Sequence, residues 1–207
     1  MTVSEYFKYL QEQIHTVIVA TVDHTGLPVT CAVDIMDSDE KGLYFLTAKG
    51  KDFYDRLTKT GYAALTGIKG EDTLSCVAVS VRGKVKELGS GLLSHLFAKN
   101  PYMNEIYPTL ESQKSLTVFQ LYEGKGEWFD LSKKPIERVS FMIGDKQQET
   151  QGYWITKKCI KCKACKTVCP QNCIDFTADS AVIKQENCLH CGNCLEICPQ
   201  NAVIRKG

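Results

Sequence analysis

Nine of the chain's 11 cysteines lie between Cys159 and Cys198, and their spacing is the most chemically specific feature of its 207 residues. The array reads Cys159-x2-Cys162-x2-Cys165-x3-Cys169-Pro170, then Cys188-x2-Cys191-x2-Cys194-x3-Cys198-Pro199, with 18 residues between Cys169 and Cys188. The repeat extends past the thiols, since Cys169-Pro170-Gln171-Asn172-Cys173-Ile174 is answered by Cys198-Pro199-Gln200-Asn201-Ala202-Val203. An iron–sulfur cube needs four thiolates directed at one compact object. Cysteines at i, i+3 and i+6 can wind around three corners, and with two cubes the cysteine before proline ligates the other one. This assigns Cys159, Cys162, Cys165 and Cys198 to one [4Fe–4S] cluster, and Cys188, Cys191, Cys194 and Cys169 to a second. The exchanged ligand ties the halves together, so metal binding supplies much of the folding free energy of a segment with little apolar core. Zinc is the competing reading, but zinc sites pair one C-x2-C with another or with a histidine pair. Disulfides are disfavoured because the Met1-Thr2-Val3-Ser4-Glu5-Tyr6 start has neither the basic nor the apolar region of a secretory signal, which points to the cytoplasm.

The residues around the array leave choices open. Cys173 stands where the repeat has Ala202, so it is either a small packing residue or a replacement ligand. Lys163 stands where the second half has Gly192, a position where a left-handed backbone would disfavour lysine, so a different local loop is expected. Lys157, Lys158, Lys161, Lys163 and Lys166 crowd the first motif. They compensate the clusters' negative charge or form a basic docking face. His190 reads as a surface residue. By side-chain count, residues 1–152 hold 17 Lys/Arg and 20 Asp/Glu, and residues 153–207 hold 8 and 4. The overall charge of +1 gives no sign of a nucleic-acid partner, and no apolar run reaches the roughly 20 residues of a membrane span.

Stepping along residues 1–150, Thr2-x-x-Glu5 forms a capping box before Val3, Phe7, Leu10 and Ile14 at helical spacing. Strands are predicted over 16–22, 27–35, 43–47, 62–66, 74–87, 116–122, 126–131 and 135–143, with turns at 23–26 and 38–42. Helices are predicted over 52–58 and 89–99, the second stopped by Asn100-Pro101. About seven antiparallel strands with short helices suggest a small closed β-barrel. Cys31 and Cys76 alternate with apolar residues inside strands and read as buried hydrophobes. His15, His24 and His95 lack metal-ligand spacing. No Gly-x-Gly-x-x-Gly sits in a βαβ pattern, so a nicotinamide domain is not expected.

Two resemblances sharpen this reading. Residues 153–207 resemble the bacterial 2[4Fe–4S] ferredoxins, a small α+β fold in which Tyr153-Trp154-Ile155 and Ala202-Val203-Ile204 would be the edge strands that pair the chain ends. Residues 3–143 resemble the FMN-binding split barrels of the pyridoxamine 5′-phosphate oxidase-like superfamily. That likeness rests on Ala20-Thr21-Val22-Asp23-x3-Leu27-Pro28-Val29-Thr30 and Leu43-Tyr44-Phe45-Leu46-Thr47-Ala48-Lys49-Gly50-Lys51. It implies a mainly β split barrel with short helices and FMN as cofactor. The Thr47 hydroxyl, the amides of Ala48 to Lys51 and the following helix N-terminus would face its phosphate. Lys51 would add a charge-assisted contact, with Lys49 a weaker candidate. Leu46 belongs to the same candidate set, and Thr30, Ala32 and Val33 would line the flavin ring. The resemblance also implies a homodimer with the flavin at its interface. Arg82 and Trp128 lie on strands that could reach the flavin, or are a solvent salt bridge and a core aromatic.

The expected organisation is a split barrel over 1–144, a polar linker over 145–152 and a ferredoxin domain over 153–207. The expected function is electron transfer between two [4Fe–4S] clusters and an FMN, as an oxidoreductase acting on a small substrate with a redox protein as partner. The alternative is a carrier module that relays electrons between proteins and has no substrate of its own. A barrel holding a deazaflavin or haem is a third reading.

Overall fold

The computed structural model describes residues 1–144, 151–177 and 180–207, which form two compact units. The first holds Met1–Lys69, Ala78–Glu127 and 141–144, and the second holds Gly70–Val77, Trp128–Ser140 and the described residues from 151 onward. Most of the expected linker, 145–150, lies outside the described residues.

The first unit opens with helix α1 (Val3–Tyr9). Its capping box is reciprocal, with Glu5 N–H donating to Thr2 Oγ1 at 3.3 Å and Thr2 N–H donating to Glu5 Oε2 at 2.6 Å. A wider π-type turn over Leu10–Ile14 follows and ends at His15, whose φ is 65°. Tyr6, Phe7 and Leu10 are buried. The chain then forms β1 (Thr16–Val22), β2 (Pro28–Asp39), β3 (Gly42–Ala48), α2 (Asp52–Thr60), β4 (Tyr62–Lys69) and β5 (Val77–Gly89). Helix α3 (Leu93–Lys99) and the short turns α4 (Met103–Ile106) and α5 (Leu110–Gln113) lead to β6 (Leu116–Asp130) and β7 (Glu137–Ile143).

These strands form one seven-stranded sheet of order β3-β2-β1-β4-β5-β6-β7, and a further β3–β6 pairing closes six of them into a barrel. Alternation sets the faces. Val17, Val19 and Thr21 of β1 point inward, while Ile18 and Val22 are exposed. Several boundaries differ from expectation. Strand β2 runs through the predicted turn to Asp39, whose carboxylate then accepts from the amides of Lys41 and Gly42 and makes the turn there. Strand β6 is one 15-residue strand rather than two, because its glycines sit at a close approach and not at a break. A Cβ on Gly124 would lie 2.1 Å from Arg82 O, so β5 and β6 can pass this closely only where the side chain is absent. Helix α3 starts at Leu93 rather than at 89 and packs Leu93, Leu96 and Phe97 against Met36, Tyr44, Leu116 and Val118.

In the second unit β8 (Gly152–Ile155) precedes the single helical turn α6 (Ala164–Thr167). Then come β9 (Ile174–Asp175), β10 (Val182–Ile183), α7 (Asn193–Glu196) and β11 (Val203–Lys206). β8 pairs antiparallel with β11, Ile155 opposite Val203 and Trp154 opposite Ile204, so the edge strands pair in the expected way. Among the described residues no helix is long and apolar enough to cross a membrane.

Candidate functional site

The repeat in the cysteine array is also a repeat of backbone conformation. Lys161 and His190 both have φ of 56°, Asn172 and Asn201 have 49° and 46°, and α6 and α7 occupy equivalent places. Lys163 has φ of 66° opposite the 87° of Gly192. The expected change of loop is therefore absent, and lysine takes the left-handed conformation that its counterpart reaches without a Cβ.

The turns bring the thiols together in two groups. Cys159, Cys162, Cys165 and Cys198 line one open-mouthed cavity of about 350 Å³, with Ile155, Ile160 and Phe176 among its walls. Cys169, Cys173, Cys188, Cys191 and Cys194 line a second of about 340 Å³. Each cavity thus mixes three thiols of one half with the pre-proline cysteine of the other. No group of three or more His, Cys, Asp or Glu among the described residues is arranged to hold a single metal ion. The sulfurs surround a space instead, as a cube requires. Tyr153, Ile174, Ile183 and Val203 join Cys165, Cys173, Cys188 and Cys194 in the buried core, so thiols make up much of what this small unit buries.

Burial pushes the Cys165 thiol up and the Cys194 thiol up to about 11. Iron binding must displace those protons. Burial also acts on Cys198, but the amides of Ala202, Gln200 and Val203 outweigh it and hold the thiol low. The Ala202 amide donates to Cys198 Sγ at 3.2 Å, and the Lys161 amide donates to Cys159 Sγ at 3.4 Å. Cys173 is buried, and its Sγ lies 3.4 Å from Cys169 Sγ. Its hydrogen bond to Cys188 is the leading cause that lowers the Cys188 thiol. The residue that the repeat equates with Ala202 is thus a fifth thiol in the wall of the second cavity.

The first unit holds a separate polar site where its barrel splits. β2 and β3 pair from Asp39–Gly42 to Ile35–Phe45, after which Leu46 to Ala48 pair with β6 and residues 28–34 pair with β1. Helix α2 follows β3 at this gap. Thr47 is buried, and its Oγ1 has no hydrogen-bond partner. Lys51 is the N-cap of α2 and no side chain caps the helix, which leaves the Asp52 and Phe53 amides to other acceptors, while the Tyr54 amide donates to Lys51 O at 2.8 Å. Two of the expected phosphate-facing amides turn inward, since Lys49 N–H donates to Ser115 O at 2.9 Å and Lys51 N–H donates to Ala48 O at 3.1 Å.

The side chains divide in the same way. Lys49 Nζ is 3.8 Å from Glu87 Oε1, a carboxylate that also accepts from Thr117 and Tyr54. Lys51 and Arg56 lie close enough to Cys31 to oppose the upward pull of burial on its thiol. Arg56 Nε also donates to the buried Thr21 hydroxyl at 2.8 Å. Arg56 was not visible as a site residue in the sequence, because it sits one position from the Phe53/Leu57 stripe and reads as a solvent-facing arginine. Thr30 and Ala32 are exposed on one face of β2, whereas Val33 alternates to the other, so the three do not share a surface. Leu46 and Ala48 pack against the α3 core. Arg82 is exposed and Trp128 is buried.

Against this geometry, residues 3–133 match the model of the family described as pyridoxamine 5′-phosphate oxidase, and residues 158–202 match that of the 4Fe-4S dicluster domain. A search of curated proteins gives no match. Among solved structures, a Clostridium acetobutylicum protein related to general stress protein 26 of B. subtilis (pyridoxinephosphate oxidase family) superimposes with a TM-score of 0.53 at 18% identity, covering 69% of this chain and 97% of its own. A NimC/NimA family protein from the same organism gives 0.56 at 13% identity, covering 67% and 90%. A heme binding protein from Mycobacterium smegmatis gives 0.53 at 13% identity, covering 69% and 58%. These likenesses show the fold of the barrel. The chain belongs to the pyridoxamine 5′-phosphate oxidase family and carries a 4Fe-4S dicluster domain at its C-terminal end.

Proposed function

We propose that the chain is an iron–sulfur flavoprotein oxidoreductase of the cytoplasm, moving electrons between two [4Fe–4S] clusters and an FMN and thence to a small substrate. The family and the dicluster domain already indicate a redox or electron-transfer role. The observation that carries the finer reading is the pair of thiol-lined cavities joined in one chain to a barrel whose split holds an orphaned, buried hydroxyl. When bound, the clusters would supply one-electron transfer, and FMN would interconvert one- and two-electron chemistry.

The chain's own residues do the holding. Four thiolates hold each cube, Cys159, Cys162, Cys165 and Cys198 in one case and Cys188, Cys191, Cys194 and Cys169 in the other. Amide donors at Cys159 and Cys198 offset sulfur charge. The Thr47 hydroxyl, the Asp52 and Phe53 amides at the start of α2 and the Lys51 ammonium suit a phosphate. Lys49 is already drawn to Glu87 and is the weaker partner. Thr30 and Ala32, exposed on one face of β2, would flank the ring system, and Val33 on the other face is the weaker candidate. The exposed outer face that carries Ile18 and Tyr62 suits a second copy of the chain, in keeping with a homodimer.

The test is flavin retention. Lys51→Ala should weaken FMN binding by about 10–100-fold, the worth of one charge-assisted hydrogen bond, with iron content unchanged. Unchanged flavin affinity would refute the phosphate assignment. Flavin-dependent turnover of a small molecule separates this reading from a carrier module that only relays electrons between proteins.

A further inference from the structure

The two halves of the dicluster unit are related by a constant shift of 29 residues, so each position around one thiol set has a counterpart around the other. Lys157, Lys158, Lys161, Lys163 and Lys166 are all exposed around the first set. Their counterparts are Glu186, Asn187, His190, Gly192 and Leu195, with no lysine or arginine among them. From Gly152 to Ile174 the chain has no carboxylate. Within this ring Cys162 is exposed, and Ile160 beside it is 62% exposed. Ile160 and Lys163 also line the cavity that Cys162 shares with the other three thiols.

Charge compensation alone does not produce this pattern. Two like cubes, each about −2 when oxidised, would call for like numbers of cations, yet the backbone is repeated while the five lysines are not. Positive charge gathered on one side of an exposed redox edge steers an oppositely charged partner and fixes its approach. A polymer of phosphates would gain nothing from being centred on a sulfur ligand, whereas a redox partner would.

We propose that this face docks an acidic electron-carrier protein, whose carboxylates meet the five lysines and whose apolar centre rests on Ile160. One electron then passes at the Cys162 edge. The carrier's reduced centre loses it, the first cluster gains it, and no bond is made or broken. The proposal rests on the clusters being electron carriers, and the experiment separates the two.

The full-length protein with both clusters is mixed in a stopped-flow instrument, without air, with a reduced acidic plant-type [2Fe–2S] ferredoxin as probe. It is compared with a variant carrying Lys157→Gln, Lys158→Gln, Lys161→Gln, Lys163→Gly and Lys166→Gln. A photogenerated neutral deazariboflavin radical serves as an uncharged reductant. The expected result is a second-order rate with ferredoxin that falls about 10–100-fold in the variant at low salt. The wild-type rate should fall similarly as salt shortens the screening length to about 3 Å near 1 M. The neutral reductant should reduce both proteins equally fast. Equal ferredoxin rates for the two proteins overturn the docking face while leaving the clusters as carriers. Failure of the neutral reductant to reduce the clusters overturns both. Displacement of the ferredoxin by anionic phospholipid vesicles or by a single-stranded oligonucleotide at equal charge concentration would assign the face to a membrane or a nucleic acid and so overturn it.

Discussion

At position 163 a lysine holds φ of 66°, close to the 87° of Gly192 at the matching place in the second half. A left-handed residue with a Cβ costs about 1–2 kcal/mol, against about 0.5–1 kcal/mol that glycine loses in the unfolded chain. Lys163→Gly should therefore stabilise the cluster-bearing unit by about 0.5 kcal/mol, and Lys163→Ala should give no gain. The measurement is the guanidinium midpoint for anaerobic loss of visible absorbance. A destabilised glycine variant would contradict the account. Cys173 poses a different question, because its sulfur touches Cys169 yet each cube already has four thiols assigned. Cys173→Ala, which copies Ala202, should keep about eight iron atoms per chain. Loss of iron there would make Cys173 a ligand.

On the scale of elements, α3 is fastened to β2 by charge as well as by its apolar face. Asp37 Oδ1 accepts from Lys99 Nζ at 2.6 Å, and Asp37 Oδ2 lies 2.9 Å from His95 Nε2. Burial pulls the Asp37 carboxyl up, but the Lys99 and His95 contacts outweigh it and hold it below the usual range. A carboxyl with a depressed folded pKa contributes stability above its unfolded value of about 3.9, and that contribution is lost as pH falls through the folded value. The barrel should therefore weaken as pH drops below about 4, and Asp37→Asn should flatten that slope while costing about 1–3 kcal/mol at neutral pH. Identical slopes in chemical denaturation would contradict it. This latch was not legible in the sequence. Asp37 fell between the predicted strand over 27–35 and the turn at 38–42, and the pairing spans nearly 60 residues to a histidine without metal spacing. The hairpin at Asp23–Gly26, the stop at Asn100-Pro101 and the capping box were legible because each rests on chemistry among neighbours. The glycines of β6 misled for the opposite reason, since their meaning comes from β5 passing beside Gly124 and the Phe141 ring of β7 lying over Gly126. The same division holds at the sites. The eight thiols of the two repeated motifs could be read from local spacing, whereas Cys173, which the repeat equates with Ala202, enters the second cavity only in the fold, and Arg56 reaches Thr21 only once α2 follows the split.

Across the whole molecule, the central claim is that one chain holds two cubes and one flavin. The thiols of each cavity come from both halves of the repeat, so the folded dicluster unit and its metal should appear and vanish together. The most direct measurement is purification without air followed by quantification of iron, acid-labile sulfide and flavin per chain. The account predicts about eight iron, eight sulfide and one FMN. A colourless protein, or zinc bound at those sulfurs, would contradict the claim outright, and about eight iron with no flavin even after reconstitution would contradict its barrel half.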